Sequence, residues 1–219
     1  RRDDALRPDE GSYHLPLQIA LMVRKSGPQR LVLASESPRR RDLLAQIGLV
    51  PDEVIPADID ETPLRNEQPG PLAKRLSRAK GEAVAAENVD AWVLSADTVV
   101  GLGRRILGKP GDETEARRFL DLLSGRRHKV FGGITVVAPD ADPVTKLVTT
   151  SVTFKRLETA EVDRYLASGE WQGKAGGYAI QGCAGGFVRG LNGSYSNVVG
   201  LSLYETQSLL RGSGYVPPK

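Results

Sequence analysis

The sequence predicts an α/β fold, because short apolar runs alternate with segments that carry helical periodicity. Residues 31–34 and 91–96 are apolar runs of the length that buried strands have. The first run leads into a helix that starts at Ser37 and Pro38, an N-cap residue followed by proline at the first helical position. Gly48 then follows as a C-terminal stop. This strand–turn–helix unit, residues 31–48, is the part around which we expect the chain to be organised.

The later elements follow from the same signals. Helical spacing of apolar residues predicts a helix over 72–86, with Lys80 on or beside its apolar face. Asp112 and Glu115 have the spacing of a capping box and open the next helix. The remaining expected elements are a hairpin around Gly103, strands over 130–138 and 146–156, and helices over 159–166 and 198–210.

Composition narrows the class of ligand. The chain has 219 residues, enough for one large α/β domain or two small lobes. Its net charge of +3 suits a polyanionic small molecule but is too small to indicate nucleic acid. No apolar run reaches the ~18 residues of a membrane span. We expect residues 1–30, which are polar and without periodicity, to form a flexible N-terminal extension.

The scarcity of cysteine and histidine argues against two kinds of site. Cys183 is the single cysteine, so no internal disulfide forms, which fits a cytoplasmic protein. We expect it to be a small buried hydrophobe. His14 and His128 are far apart, which argues against zinc but not against a hard cation such as Mg²⁺. For His128, a solvated or phosphate-facing position is expected.

Three consecutive arginines, Arg39 to Arg41, fall in the first turn of the helix that Pro38 opens. The positive end of the helix dipole disfavours cations there. An anion bound at the free N–H groups of this turn would account for them. A solvated basic turn is the alternative.

Candidate acid–base groups lie further along the chain. Asp97 directly follows the apolar run 91–96, and ligands collect beyond the carboxyl ends of strands in open α/β sheets. Asp97 is either a working group or part of an Asx or ST turn with Thr98. Glu61 lies in an acidic, proline-rich loop. Lys109 lies in a segment with P-loop spacing, but Pro110 occupies the position of the required hydroxyl, so we reject a P-loop.

A glycine-rich segment, residues 173–190, completes the set with Lys174, Tyr178 and Gln181. Small residues there let the backbone approach a ligand. Arginines at a helix start, separated lysines and two carboxylates together describe a polyphosphate site with cation-assisted water attack.

The motifs SESPRRRDLL, SADTVV, LGKP, LSGRRHKV, GKAGGYAIQG and NVVGLSLYET occur in this order over about residues 31–211. In this they resemble the Maf family of nucleotide pyrophosphatases. The resemblance implies that residues 31–219 form one domain with an inosine-triphosphatase-like fold: a mixed sheet with flanking helices and two lobes around a long cleft. It also implies hydrolysis of a nucleoside triphosphate to the monophosphate and pyrophosphate, aided by Mg²⁺ or Mn²⁺, and a homodimer.

Matching positions assign roles by the same resemblance. Asp97 corresponds to the proton acceptor, and Glu61 and Asp97 are the expected ligands of the cation. The form of the late motif resembles the branch that acts on dTTP and UTP, in which Arg39, Thr98 and Gln181 are the specificity positions. The expected substrate-binding residues are Ser35, Ser37, Arg39, Arg40, Lys80, Thr98, Lys109, Lys174 and Gln181.

The sequence departs from the usual Maf motifs at two places. Glu36 stands where glycine or glutamine is common, and Phe131-Gly132-Gly133 replaces a threonine-containing segment. We expect the second departure to alter base or ribose contacts.

The rival function is a non-catalytic regulator that binds a nucleotide or a septum-formation partner, as the family's link to septum formation suggests.

Overall fold

The computed structural model describes residues 29–218. In that range it contains one seven-stranded sheet with helices on its flanks. The strands are β1 (Leu31–Ala34), β2 (Glu53–Val54), β3 (Trp92–Leu102), β4 (Arg105–Leu107), β5 (Arg127–Val137), β6 (Val144–Phe154) and β7 (Val188–Asn192). The helices are α1 (Pro38–Gln46), α2 (Pro69–Ala86), α3 (Glu113–Leu123), α4 (Thr159–Ala167), α5 (Tyr195–Val199) and α6 (Leu203–Gly212). Single 3₁₀ turns cover Ala175–Gly177 and Cys183–Phe187.

The sheet is mixed, as predicted. Its strand order is β2-β1-β3-β5-β6-β7, and β4 pairs with β3. β1 pairs in parallel with β2 and with β3, whereas β5, β6, β7 and β4 add antiparallel pairs. The predicted strand–turn–helix at residues 31–48 is confirmed, and Gly48 follows α1 with φ +70°.

Strand β3 extends well past the predicted end at Ala96. Its parallel ladder with β1 runs only from Leu31↔Trp92 to Ala34↔Ser95. Its antiparallel ladder with β5 continues to Gly101↔Lys129 and carries the strand through polar residues. Asp97 therefore lies within a strand, two positions past the end of the parallel ladder. That position faces the turn that leaves β1.

Helix α2 packs on the sheet over glycines of β5. A Cβ at Gly133 would overlap the carbonyl oxygen of Ala73, and one at Gly132 would overlap the side chain of Asn197. Close packing of α2 and α5 thus accounts for this pair of glycines. The segment Phe131-Gly132-Gly133 is not among the residues that line the cleft described below, although the preceding residue, Val130, is. The expected change in base or ribose contacts stays a prediction.

Two expectations about single side chains are wrong. His128 is 2% exposed, because β5 turns it into the core against Phe154 and Tyr178. Cys183 is exposed, because it begins a 3₁₀ turn at the surface. The adjacent Ala184 is buried in its place.

The expected final helix is two helices. α5 ends at Val199, and Gly200 adopts φ +149° before α6 begins at Leu203. Residues that carry a side chain rarely adopt this φ, so a glycine at position 200 permits the break between the two helices.

The expected N-terminal extension lies almost wholly outside the described residues. Its last two residues are bonded to the fold: the guanidinium of Arg30 donates to Glu53 and Asn88, and Gln29 bonds to the backbone at Gly214 and Val216. None of the helices between residues 29 and 218 has the length and hydropathy of a membrane span.

Candidate active site

A cleft of about 430 Å³ opens beside the end of the parallel β1–β3 ladder. All eleven residues that the sequence singles out for the site line it. They come from the β1–α1 turn, the acidic loop, α2, β3, the segment after β4, and the glycine-rich segment. These residues are Ser35, Ser37, Arg39, Arg40, Glu61, Lys80, Asp97, Thr98, Lys109, Lys174 and Gln181.

Lys80 connects the two carboxylates of the cleft. Its Nζ lies 2.7 Å from Oδ1 of Asp97 and 2.6 Å from Oε1 of Glu61. Lys80 and Asp97 are both buried, whereas Glu61 is exposed on its loop. Burial of a charged pair is costly unless the charges are paired and hydrogen-bonded, and this geometry satisfies that requirement.

Glu61 brings the acidic loop to the basic side chains. Partial burial acts to raise its pKa, but the hydrogen bond and charge of Lys80, with the charges of Lys109 and Arg40, outweigh that effect and lower the pKa. Lys109 Nζ lies 3.7 Å from Oε2 of Glu61 and is largely solvated. Glu61 therefore stays ionised at neutral pH.

The β1–α1 turn supplies hydroxyl and N–H groups. Ser37 occupies the N-cap position of α1, as predicted, but its hydroxyl makes no capping hydrogen bond. Its Oγ is buried and has no partner within residues 29–218. Ser35 Oγ instead accepts from the backbone N–H of Ser37, at 3.2 Å. The first turn of α1 contains no acidic residue, so nothing within that turn competes with an anion.

The three consecutive arginines diverge. Arg39 is half-buried and donates from Nε to the carbonyl of Val199, at 3.3 Å. Burial lowers its pKa, although an arginine stays charged. Arg40 is buried, and Arg41 is exposed to solvent. Only Arg39 and Arg40 reach the cleft.

The glycine-rich segment forms the opposite wall. Lys174 is partly buried, and this burial lowers its pKa, with a smaller effect from the charge of Arg39. Gln181 is exposed at the rim. Tyr178 lies in the wall, and its hydroxyl is 2.8 Å from Nε2 of His128. Burial raises the pKa of Tyr178 and lowers that of His128 to about 4, so both are neutral at pH 7.

Sequence reasoning missed the backbone of residues 199 and 200. Their carbonyl oxygens accept hydrogen bonds from Arg39 and Arg40. They are available because α5 ends there, which leaves carbonyl groups without helical partners. The glycine at position 200, within a segment expected to be one continuous helix, was the signal that could have revealed this break.

The donor set is suited to a hard cation that is shared with a ligand. The described residues contain no group of three or more histidines, cysteines or carboxylates placed to hold a metal. Glu61 and Asp97 offer two carboxylates, and Mg²⁺ in nucleotide sites commonly uses one or two carboxylates together with phosphate oxygens and water. These two residues therefore fit such a cation when a phosphorylated ligand supplies the remaining oxygens.

Comparisons with known proteins agree on one family. A family model described as Maf-like protein matches residues 30–213. The dTTP/UTP pyrophosphatase of Paramagnetospirillum magneticum is 62% identical over 187 residues, which cover 85% of this chain and 98% of that protein. The dTTP/UTP pyrophosphatase of Caulobacter vibrioides is 59% identical over 192 residues, which cover 88% of this chain and 99% of that protein.

A solved structure of a HAM1 protein from Coxiella burnetii is also similar, with a TM-score of 0.48 and 16% identity. It covers 84% of this chain and 99% of that chain. The family match extends over nearly all of the described residues, and the two relatives above are matched over almost their whole length. The chain therefore belongs to the Maf family.

Proposed function

We propose that this protein is a nucleoside triphosphate pyrophosphatase that converts dTTP and UTP to the monophosphate and pyrophosphate. The observation that carries the proposal is the Glu61–Lys80–Asp97 arrangement, with Nζ of Lys80 at 2.6 and 2.7 Å from the two carboxylates. A buried carboxylate beside cationic side chains can activate water next to a bound polyphosphate. The names of relatives at 62% and 59% identity support the same reaction.

Asp97 is the proposed general base. Its Oδ1 accepts from Lys80, so Oδ2 remains for a water molecule. That water attacks the α-phosphorus, Asp97 accepts its proton, and pyrophosphate leaves. Burial of Asp97, which is 7% exposed, strengthens its interactions with the water and with Lys80.

The triphosphate would lie against Arg39, Lys109 and the start of α1. The hydroxyl of Ser37, which has no partner among residues 29–218, provides a donor for anionic oxygens at the positive end of the α1 dipole. Arg39 can hold phosphate through two parallel hydrogen bonds, whereas Lys109 acts as a point charge.

Glu61 and Asp97 would hold a divalent cation, Mg²⁺ or Mn²⁺, together with phosphate oxygens. When bound, this cation neutralises charge that develops on the phosphate oxygens. Glu61 is suited to the role because it is ionised and reaches into the cleft from a loop.

The pyrimidine edge would be read by Thr98 and Gln181. Both line the cleft, from β3 and from the glycine-rich segment respectively. A site that hydrogen-bonds a substrate group rejects analogues that lack this group, since its own polar groups then stay unpaired. The preference for dTTP and UTP rests on these two side chains and on Arg39.

Pyrophosphate release tests the proposal directly. The purified protein is incubated with dTTP, UTP, CTP and GTP, with and without Mg²⁺ or Mn²⁺, and pyrophosphate and monophosphate are measured. We expect release from dTTP and UTP that depends on the cation. Absence of release from all four nucleotides under all conditions would favour the non-catalytic nucleotide binder instead.

A further inference from the structure

Arg40 lies in the wall of the cleft and joins the β1–α1 turn, strand β3 and the segment between α5 and α6. It is 8% exposed. Its Nε donates to the carbonyl of Gly200 at 2.9 Å, its Nη1 to Oγ of Ser35 at 2.9 Å, and its Nη2 to Oγ1 of Thr98 at 3.3 Å. Each of its three nitrogens is thus engaged by the protein itself.

All three acceptors belong to residues that line the cleft, and two of them are side-chain hydroxyls. Ser35 lies on the β1–α1 turn, and its Oγ also accepts from the N–H of Ser37. Thr98 follows Asp97 in β3, and its hydroxyl is 3.5 Å from the carbonyl of Gly200. Both hydroxyls are therefore hydrogen-bonded to the same guanidinium, which fixes their positions relative to each other.

The third acceptor anchors the guanidinium. Gly200 separates α5 from α6, and its carbonyl oxygen accepts from Nε of Arg40. A guanidinium is planar and holds its donors in a fixed fork, so fixing one edge fixes the directions of the other donors. A lysine ammonium on a flexible stem would not hold three acceptors in a fixed relation.

The neighbouring arginines show the contrast. Arg39 is half-buried and, within residues 29–218, donates a single side-chain hydrogen bond, from Nε to the carbonyl of Val199. Both of its Nη atoms can therefore face a ligand. Arg41 is exposed and lines no part of the cleft. Of the three, Arg40 is the one whose three guanidinium nitrogens all donate to groups within residues 29–218.

We propose that Arg40 is a positioning residue that aligns the hydroxyls of Ser35 and Thr98 for the nucleotide, and that it does not grip the phosphates directly. This replaces the phosphate contact expected from the sequence, and it rests on the proposed function. Because Arg40 aligns Ser35 and Thr98 and does not itself hold the triphosphate, its substitution should misalign the bound nucleotide and lower the rate more than it weakens binding.

Double-mutant cycles test this role. kcat and KM for UTP are measured for the wild type, Arg40→Lys, Thr98→Val and the double variant, with Arg41→Lys as the matched control in the same turn. We expect Arg40→Lys to lower kcat by about tenfold or more and to change KM by less than about threefold. The kcat of the double variant should lie within about threefold of the kcat of the less active single variant. This is expected because the effects of substitutions at coupled residues do not multiply.

A direct grip on phosphate predicts a different result. In that case KM rises, kcat is retained, and the effects of Arg40→Lys and Thr98→Val multiply; this outcome would overturn the proposal. Arg41→Lys should match the wild type, because its side chain is exposed and outside the cleft.

A second cycle covers the case in which Arg40→Lys fails to fold. Ser35→Ala and Thr98→Val both retain Arg40, and each removes one of its acceptors. If Arg40 links the two hydroxyls, the combined loss in kcat/KM should fall short of the product of the single losses by about threefold or more. Losses that simply multiply would overturn the link.

These results are distinguishable from failure of the proposed function. A wild-type protein that releases no pyrophosphate counts against the proposed function alone. The Ser35 and Thr98 cycle is then run on the dissociation constant of UTP, where non-additivity supports the role of Arg40 and additivity contradicts it.

Discussion

The ammonium nitrogen of Lys80, in helix α2, lies 2.7 Å from Oδ1 of Asp97, in strand β3. The same nitrogen lies 2.6 Å from Oε1 of Glu61. One ammonium group therefore bridges two carboxylates and offsets part of their combined charge. Without Lys80, Asp97 and Glu61 would repel each other in a partly buried site.

Asp97→Asn should abolish most of the turnover while preserving the fold. The amide keeps the shape of the side chain but cannot accept a proton from water, and a general base contributes about 10²- to 10⁴-fold to a rate. Pyrophosphate release from UTP measures the loss, and the thermal unfolding midpoint reports the fold. Turnover close to that of the wild type would remove Asp97 from the role of base.

Arg39→Ala should mainly raise KM for the triphosphate or change the preferred nucleotide. Its guanidinium reaches the cleft and makes only one internal hydrogen bond, so its loss removes a ligand contact and little structure. The nucleotide panel measures both effects. Arg41→Ala is the control, since Arg41 is exposed one position further along. Equal behaviour of the two variants would mean that the start of α1 does not contact the substrate.

Gly133→Ala should destabilise the fold by about 2 to 3 kcal/mol, because overpacking displaces well-packed neighbours. The added Cβ would overlap the carbonyl of Ala73 in α2 and crowd Oγ of Ser77. Urea unfolding measures the change. Gly190→Ala in β7 is the control, since no heavy atom lies within 4 Å of a Cβ there. A loss no larger than that of the control would mean that α2 can move away from the sheet at little cost.

Stability should fall as the pH is lowered from 6.5 towards 4. Burial lowers the pKa of His128 from 6.5 to about 4, so the unfolded chain takes up this proton first and unfolding is favoured in that interval. Above pH 6.5 the imidazole of His128 is neutral in both the folded and the unfolded protein, so its full contribution to folding stability is present. This difference between the folded and unfolded pKa of His128 corresponds to about 3 kcal/mol of folding stability.

His128→Gln provides the comparison for this pH dependence, because glutamine does not titrate. Urea unfolding of both proteins is measured between pH 4 and 7. The variant should lose less stability than the wild type over this interval. Parallel curves would show that His128 does not govern the acid sensitivity.

Local signals in the sequence predicted most of the elements, whereas the roles of the site residues came from the resemblance to the Maf family and stay predictions. The turn at Ser37 and Pro38, the cap formed by Asp112 and the face of α2 that carries Lys80 depend on residues a few positions apart. The structure confirms each of these elements. Glu115 differs in detail, since its carboxylate returns to the N–H of Gly111, one residue before the cap.

Pairing with distant segments explains what the sequence did not predict. β3 continues past Ala96 because β5 pairs with it through Gly101. His128 appears solvated beside Arg126 and Arg127, yet the alternation of β5 turns it inward. The carbonyl partners of Arg39 and Arg40 lie 160 residues further along, beyond any local pattern.

The break between α5 and α6 also bears on how the cleft assembles. Lys80 and Asp97 are 17 residues apart in the chain, whereas Arg40 and Gly200 are 160 apart. Loop-closure entropy grows with the logarithm of loop length, so the second closure costs about 2 kcal/mol more than the first. The acid–base side of the cleft therefore needs only a short loop to close. The side that orients the arginines is complete only when nearly the whole chain has folded.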